Sequence, residues 1–359
     1  MIGRSVERVG GVDRVTGGQK YTADLHMDRA LQVKMVYLDC TRARIQAIDT
    51  AEAARVEGVR GVFTAADFPQ PVPKFGPAIV DRPIIADGES RFCGEPVAAV
   101  AAETEDAAEA AAALIRVQYE ELPAVLSVDA ALDPAAPLVR DPATRKNDPH
   151  ALTNILESFH FGWGDVEHAR ADCVIDRTYE FPMITHFAIE PHAYLAAPDP
   201  AGVTIWSPIQ HPFILQRVVA AALGWPISKV RIIAPDPGGG FGGKGWPKFE
   251  PLLAFIALKT GRAVRLVLTL EETFQAVRRT SAMVHARTGF DAGGRIVFQD
   301  LDANFLIGAY ADIGSRVVSK ACYAGCGPYL TPHARVLARA VLSHTTPSTA
   351  FRGFGTPQA

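Results

Sequence analysis

Between residues 94 and 121 the alternation of apolar and polar positions changes period twice. Pro96-Val97-Ala98-Ala99-Val100-Ala101-Ala102 is an apolar run bounded by Gly94 and by acidic residues, the pattern of a buried strand. Thr104 then offers an N-cap, Glu105 and Asp106 fall where the helix dipole favours negative charge, and the alanine-rich stretch to Leu114 has high helix propensity. Ile115, Val117 and Tyr119 alternate with Arg116, Gln118 and Glu120, which predicts a half-buried strand and a unit that reads strand, helix, strand.

From Asp129 to His150 the pattern fails. Pro134, Pro137, Pro142 and Pro149 recur among Asp, Ala and Arg, a composition that sustains neither a helix nor a central strand, and a domain boundary is expected there. Beyond it, Val203 to Trp206 reads as a strand. Pro212 opens a helix with Ile214, Leu215, Val218 and Ala222 on one face, stopped by Gly224 and Pro226. Val230 to Ala234 is a strand running into a glycine-rich loop, Phe249 to Thr260 an apolar helix ended by Gly261, and Ala263 to Leu268 a further strand. Ala282 to Phe290 and Arg295 to Asn304 flank Asp291-Ala292-Gly293-Gly294, which is hairpin chemistry. Thr356-Pro357 has the form of a helix start, so the chain is expected to stop inside a structural unit.

The 359 residues correspond to about two domains and are ample for a sizeable core. Lys and Arg number 36 against 39 Asp and Glu, a net charge of -3 that is too balanced for a nucleic-acid backbone binder. Cys40, Cys93, Cys173, Cys322 and Cys326 are scattered and odd in number, which speaks against a disulfide framework and for a reducing compartment. With no apolar leader after Met1 and no apolar run long enough to span a bilayer, the reading is a cytoplasmic protein without a membrane span.

Gly238-Gly239-Gly240-Phe241-Gly242-Gly243-Lys244 is the most unusual local feature. Residues without Cβ let backbone amides approach a ligand closely and adopt positive φ. By itself the loop has several readings: a tight turn, a dinucleotide fingerprint at Gly238, Gly240 and Gly243, or a phosphate loop ending in Lys244. The last two fit poorly. Gly245 stands where a phosphate loop needs Ser or Thr, Trp246-Pro247 interrupts the helix that should follow, and Glu271 and Glu272 lie too far on for the acidic residue of a dinucleotide site. The second unusual segment is Ala350-Phe351-Arg352-Gly353-Phe354-Gly355, where glycines flank a planar five-donor arginine.

Together with Gly94-Glu95-Pro96-Val97, these two motifs resemble the large, molybdopterin-binding subunit of the xanthine dehydrogenase and aldehyde oxidase family. Val15-Thr16-Gly17, Tyr21 to Leu25, Gly61 to Asp67 and Tyr119-Glu120-Glu121-Leu122-Pro123 extend the likeness along nearly the whole chain. The resemblance implies an α+β fold: an N-terminal arm over 1–16, an a/b hammerhead domain over 17–128, a linker over 129–150 and the first, mixed α/β molybdenum cofactor-binding domain over 151–359, incomplete at its C-terminus.

The implied function is part of a molybdenum hydroxylase, an oxidoreductase that hydroxylates an electron-poor carbon with oxygen from water. The implied cofactor is molybdenum held by molybdopterin, as such or as the cytosine dinucleotide, with iron-sulfur clusters and FAD on partner subunits. Carried over by motif, Gln210 would hydrogen-bond a molybdenum oxygen. Gly240, Phe241, Gly242 and Arg352 would contact the cofactor, and Gly245, Phe351 and Phe354 the substrate. No side chain would ligate the metal directly.

Two departures narrow the substrate. Gly245 stands where purine-oxidising members place a Glu, so xanthine is not expected. Thr349-Ala350 stands where carbon monoxide dehydrogenases carry a Cys, so no copper-binding thiol is available. An aldehyde or an N-heteroaromatic compound remains. The family's general-base Glu lies in the distal half of the large subunit, absent from this chain, so the expected partners are that C-terminal half, an iron-sulfur subunit and a FAD subunit. Turnover by the chain alone is not expected. The rival reading is a truncated, non-catalytic relic or scaffold of the same fold.

Other chemistry finds little support. The histidines form no His-Glu-x-x-His, and His186 with Glu190-Pro191-His192 lacks a ligand spacing one helix face could present. Cys322 and Cys326 lack the further thiolates a cluster needs, no Gly-x-Ser-x-Gly elbow occurs, and Asp165, Glu167 and Asp172 read as a solvated acidic face.

Overall fold

The computed structural model describes residues 2–358. Its largest sheet has seven strands in the order Val230–Ile233, Gly202–Trp206, Ala193–Asp199, Val264–Val267, Leu31–Val36, Ala98–Ala102 and Val59–Phe63. The strands expected at 96–102, 203–206, 230–234 and 263–268 are all members, with ends shifted by up to two residues. Leu31 pairs in parallel with Val264, so strands from both sides of the proline-rich stretch share one sheet. The helices Pro212–Leu223 and Glu250–Thr260 pack on it, and Leu215, Val219, Leu252, Leu253 and Ile256 join Leu31, Val33, Val264 and Leu266 in the main core. Both helices end where a glycine adopts the left-handed conformation, Gly224 at φ 66° and Gly261 at φ 63°.

A five-stranded sheet runs in the order Cys173–Phe181, Ser281–Phe290, Ile296–Gly308, His333–Leu342 and Ile155–Trp163. Within it lies the expected hairpin, turning at Asp291, whose Oδ1 accepts from the Gly293 and Arg295 amides. The helix Gly314–Ala324 covers this sheet through Val318, Ala321 and Cys322, which makes a second core.

Three expectations are modified. Thr104 caps Glu105–Leu114 as predicted, its side chain accepting from the Ala107 amide, but the strand Arg116–Glu121 leaves Tyr119 exposed. That strand lies in a separate three-stranded sheet with Ala43–Asp49, where Val117, Ile45 and Ile48 cover a small satellite core to which Tyr119 does not belong. The proline-rich stretch begins with a short helix, Val128–Leu132, because Ser127 caps it by accepting from the Ala130 amide and the first proline comes only at 134. On Pro212–Leu223 the fully buried face is Leu215, Val219 and Ala220, a slight rotation from the predicted one. The end of the chain makes a single 3-10 turn, Thr356–Gln358.

Candidate active site

The glycine-rich loop follows the edge strand Val230–Ile233 and folds back on itself through short turns. The Gly243 amide donates to Gly240 O at 2.7 Å and the Gly245 amide to Gly242 O at 3.0 Å. Glycine is required at 242, where φ is 101° and a Cβ would lie 2.3 Å from the Ala350 carbonyl oxygen. That close approach joins the two unusual segments. The Arg352 amide donates to Phe241 O at 2.8 Å, and His186 Nε2 donates to Ala350 O at 2.6 Å.

A buried ion pair holds the loop from behind. Lys244 Nζ donates to Glu190 Oε2 at 2.7 Å and to Glu190 O at 2.9 Å. The same carboxylate accepts from the Gly238 amide at 2.7 Å and, through Oε1, from the Thr22 amide at 3.1 Å. Glu190 therefore ties both ends of the loop and the N-terminal region to one point. Burial lowers the Lys244 amine and its contact with Glu190 pulls it back up. The fourfold use of Glu190 makes the charged pair the consistent assignment.

A second buried pair, Lys248 with Asp312, lies below the 350–354 segment, and the Thr349 hydroxyl donates to Asp312 at 3.4 Å. His186 is sandwiched between these parts, stacked on Phe351 with centroids 4.7 Å apart. Burial, with Lys248 and Arg279 nearby, pushes His186 down to about 4, so it is neutral at pH 7 and its Nδ1 is buried without a partner.

In front of the loop is a cavity of about 760 Å³, and most of the expected site residues meet there. Gln210, Phe241, Gly242, Gly245, Arg352 and Phe354 line it. Gly240 sits just behind, where a Cβ would come within 3.0 Å of the Gln210 carboxamide. Phe351 is the exception: it does not line the cavity and stacks on His186 instead, just before the chain enters the turn at 352–355. Sequence reasoning missed His211, Ile214, Trp246 and Arg316, which complete the wall. The Trp246 ring stacks on His211 at 4.8 Å, and His211 Nδ1 donates to Gly245 O at 2.8 Å, fixing where the loop ends.

The donors left over show what this wall can bind. Gln210 is oriented by its side-chain carbonyl, which accepts from the Gly242 amide at 3.1 Å, while its backbone amide donates to Lys244 O at 2.8 Å. The Gln210 side-chain NH2 thus has no partner among the described residues and lies at the cavity. The Gly240 and Phe241 backbone amides likewise find no acceptor there. Phe241 has a positive φ of 51°, a conformation uncommon outside glycine and Asn, and its ring is exposed. The arrangement is a cradle of hydrogen-bond donors beside an aromatic wall, suited to an oxygen-rich or anionic group carrying a flat ligand. Among the described residues no three His, Cys, Asp or Glu side chains gather as metal ligands.

The chain matches the molybdopterin cofactor-binding domain over residues 147–359 and the aldehyde oxidase and xanthine dehydrogenase a/b hammerhead domain over residues 16–123. It belongs to the xanthine dehydrogenase and aldehyde oxidase family of molybdopterin-binding proteins. It is 34% identical to a probable xanthine dehydrogenase subunit of Bacillus subtilis (strain 168), over 97% of this chain and 46% of that protein. It is 33% identical to the nicotinate dehydrogenase large molybdopterin subunit of Eubacterium barkeri, over 100% of this chain and 83% of that one. Among solved structures, the aldehyde oxidoreductase of Desulfovibrio gigas superimposes with a TM-score of 0.89 at 27% identity, covering 98% of this chain and 40% of that one. The chain therefore spans about half the length of several relatives and most of the nicotinate dehydrogenase subunit.

Proposed function

We propose that this chain forms one wall of the active site of a molybdenum hydroxylase that oxidises an aldehyde or an N-heteroaromatic carbon. The observation that carries the reading is the convergence of Gln210, Phe241, Gly242, Arg352 and Phe354 on a single cavity, with the Gln210 carboxamide oriented by Gly242 and its NH2 left free.

The residues fit molybdopterin-bound molybdenum, as such or as the cytosine dinucleotide. Gln210 would donate through its unpaired NH2 to an oxygen of the group, and the Gly240 and Phe241 amides, which have no acceptor among the described residues, would do the same. When bound, the molybdenum centre supplies the redox chemistry, taking two electrons from the substrate carbon as it gains an oxygen derived from water. The chain's own part is positional. Phe241, Trp246 and Phe354 offer apolar ring surface that holds a flat substrate and keeps solvent from it. Arg352, fixed by its backbone bond to Phe241, offsets negative charge at the cofactor end of the cavity.

No carboxylate lines this cavity among the described residues, which agrees with the family resemblance, under which the general base would come from a second segment, the distal half of the molybdopterin-binding subunit. Iron-sulfur and FAD subunits would carry the electrons away. A cytoplasmic assembly suits the five free thiols, and no helix among the described residues is long and apolar enough to cross a membrane. The test is reconstitution with the genomic neighbours, assayed with an aldehyde and an N-heteroaromatic substrate and a dye acceptor. Turnover in the assembly that falls about 10²-fold or more in Gln210→Ala is expected, by the usual cost of one oriented donor. Full turnover by the isolated chain, or an assembly indifferent to Gln210, would contradict the proposal.

A further inference from the structure

The cavity wall carries two guanidinium groups and no carboxylate. Arg352 lies at the glycine-loop end, bonded through its backbone to Phe241. Arg316, in the first turn of the helix Gly314–Ala324, lies at the other end, where a second cavity of about 230 Å³ adjoins and shares only Ile214, Trp246 and Arg316 with the first. Neither guanidinium has a hydrogen-bond or ion-pair partner among the described residues, a contrast with Arg335, Arg339, Arg287 and Arg262, each tied to carboxylates.

The two cavities also share apolar surface. Ile214, Trp246, Ile313, Ala350 and Phe354 belong to one hydrophobic cluster. Beside Arg316, Ser315 Oγ is buried without a partner, and the Ser315 and Arg316 amides find no acceptor. Two acids line the smaller cavity with Arg316: Asp312 is engaged by Lys248 and Thr349, and Glu157 makes no ion pair with Arg316. A ligand that fills the apolar stretch strips water from an unpaired guanidinium, which is unfavourable unless the ligand brings an anion. Arg is suited to a planar, two-oxygen anion that it can hold with a fork of parallel donors.

We propose that Arg316 selects the substrate: a flat aromatic or heteroaromatic ring, or an aromatic aldehyde, that carries a carboxylate at the end remote from the reacting carbon. The ring lies on Trp246 and Phe354, the carboxylate meets Arg316 and the donors of the helix start, and the opposite edge faces Gln210 and the glycine loop. This rests on the active-site reading above, and it assigns substrate class to a residue outside every motif that identifies the family.

The test is isothermal titration of the full chain with benzoate and with benzamide, its uncharged counterpart. The wild-type chain is expected to favour benzoate by about tenfold or more, the range of a charge-assisted hydrogen bond. Arg316→Gln should bring the two ligands to near parity and Arg316→Lys should keep part of the preference, whereas Arg352→Gln should preserve it. Arg316 is solvent-exposed, so its replacement leaves no buried gap, and an unchanged melting temperature checks this. No preference in the wild type, a preference that survives Arg316→Gln, or one abolished by Arg352→Gln would each overturn the assignment. Molybdenum content of the reconstituted assembly reads the cofactor separately, so a chain that selects benzoate but takes up no metal refutes the hydroxylase reading and leaves Arg316 as a carboxylate site.

Discussion

At pH 7 the His186 ring is neutral, with Nε2 donating to Ala350 O and Nδ1 buried without a partner. Its pKa lies at about 4 in the fold against about 6.5 in an unfolded chain, so between these values the unfolded chain binds the extra proton. Stability therefore rises with pH through that window, and acidification from about 6.5 to about 4 removes it, at most by about 1.4 kcal/mol per pH unit for one group. His186→Gln should show a shallower fall in melting temperature over the same range; an unchanged slope would show that His186 is not the group that titrates. Glu190 is a different case, because losing its charge strands the buried Lys244. Glu190→Ala is expected to destabilise by about 3–5 kcal/mol in thermal or urea unfolding, as for other broken buried pairs. The glycine loop stood out by residue type, whereas Gln210 and Phe354 came only from the family resemblance. Glu190 was not, since a carboxylate 48 positions before Gly238 gives no local sign that it accepts from that amide. Lys244 did carry a sign, because a lysine inside a glycine run has little side-chain neighbourhood to solvate it unless a partner is near.

Elements were read correctly where local chemistry decided them and less well where packing did. The caps at Thr104 and Gly261 and the turn at Asp291 depend on a few neighbouring residues and stand where expected. The exposure of Tyr119 depends on what covers the other face of its sheet, which alternation cannot show. The same distinction separates two glycines with positive φ. At Gly224 a Cβ would meet nothing within 4 Å, so Gly224→Ala should cost only the left-handed backbone term, about 1–2 kcal/mol. At Gly242 the added Cβ also collides with Ala350 O, so Gly242→Ala should shift the loop and unfold at clearly lower denaturant than Gly224→Ala. Equal midpoints for the two variants would show that the loop and the 350–354 segment are not in close contact.

On the scale of the whole molecule, the segments on either side of the expected boundary at 129–150 are joined in space. The seven-stranded sheet crosses it, and a cluster around Tyr310 fastens the two parts together again. The Tyr310 hydroxyl donates to Glu95 Oε1 at 2.7 Å, the Ala311 amide donates to Asp81 at 2.8 Å, and Arg140 pairs with Asp81. Burial pushes the Glu95 carboxyl up, and the residue follows Gly94 in one of the segments that first pointed to the family. Tyr310→Phe removes a donor from a fully buried carboxyl group and should cost about 1–3 kcal/mol in global unfolding. A second, separate transition appearing in that variant would show that this cluster couples the parts. The pairing across Leu31 and Val264 was not legible, because nothing within either segment encodes a partner so distant in the chain.

The cradle of Gln210, Gly240, Phe241 and Arg352 makes a direct demand on composition: the chain should carry molybdenum when the rest of its site is present. Elemental analysis of the chain co-purified with its genomic neighbours, compared with Gln210→Ala and Gly242→Ala, measures this. Near-stoichiometric molybdenum in the wild-type assembly, retained poorly by Gly242→Ala, is the predicted result. An intact wild-type assembly without molybdenum would contradict the account and leave a folded scaffold whose donor cradle serves some other ligand.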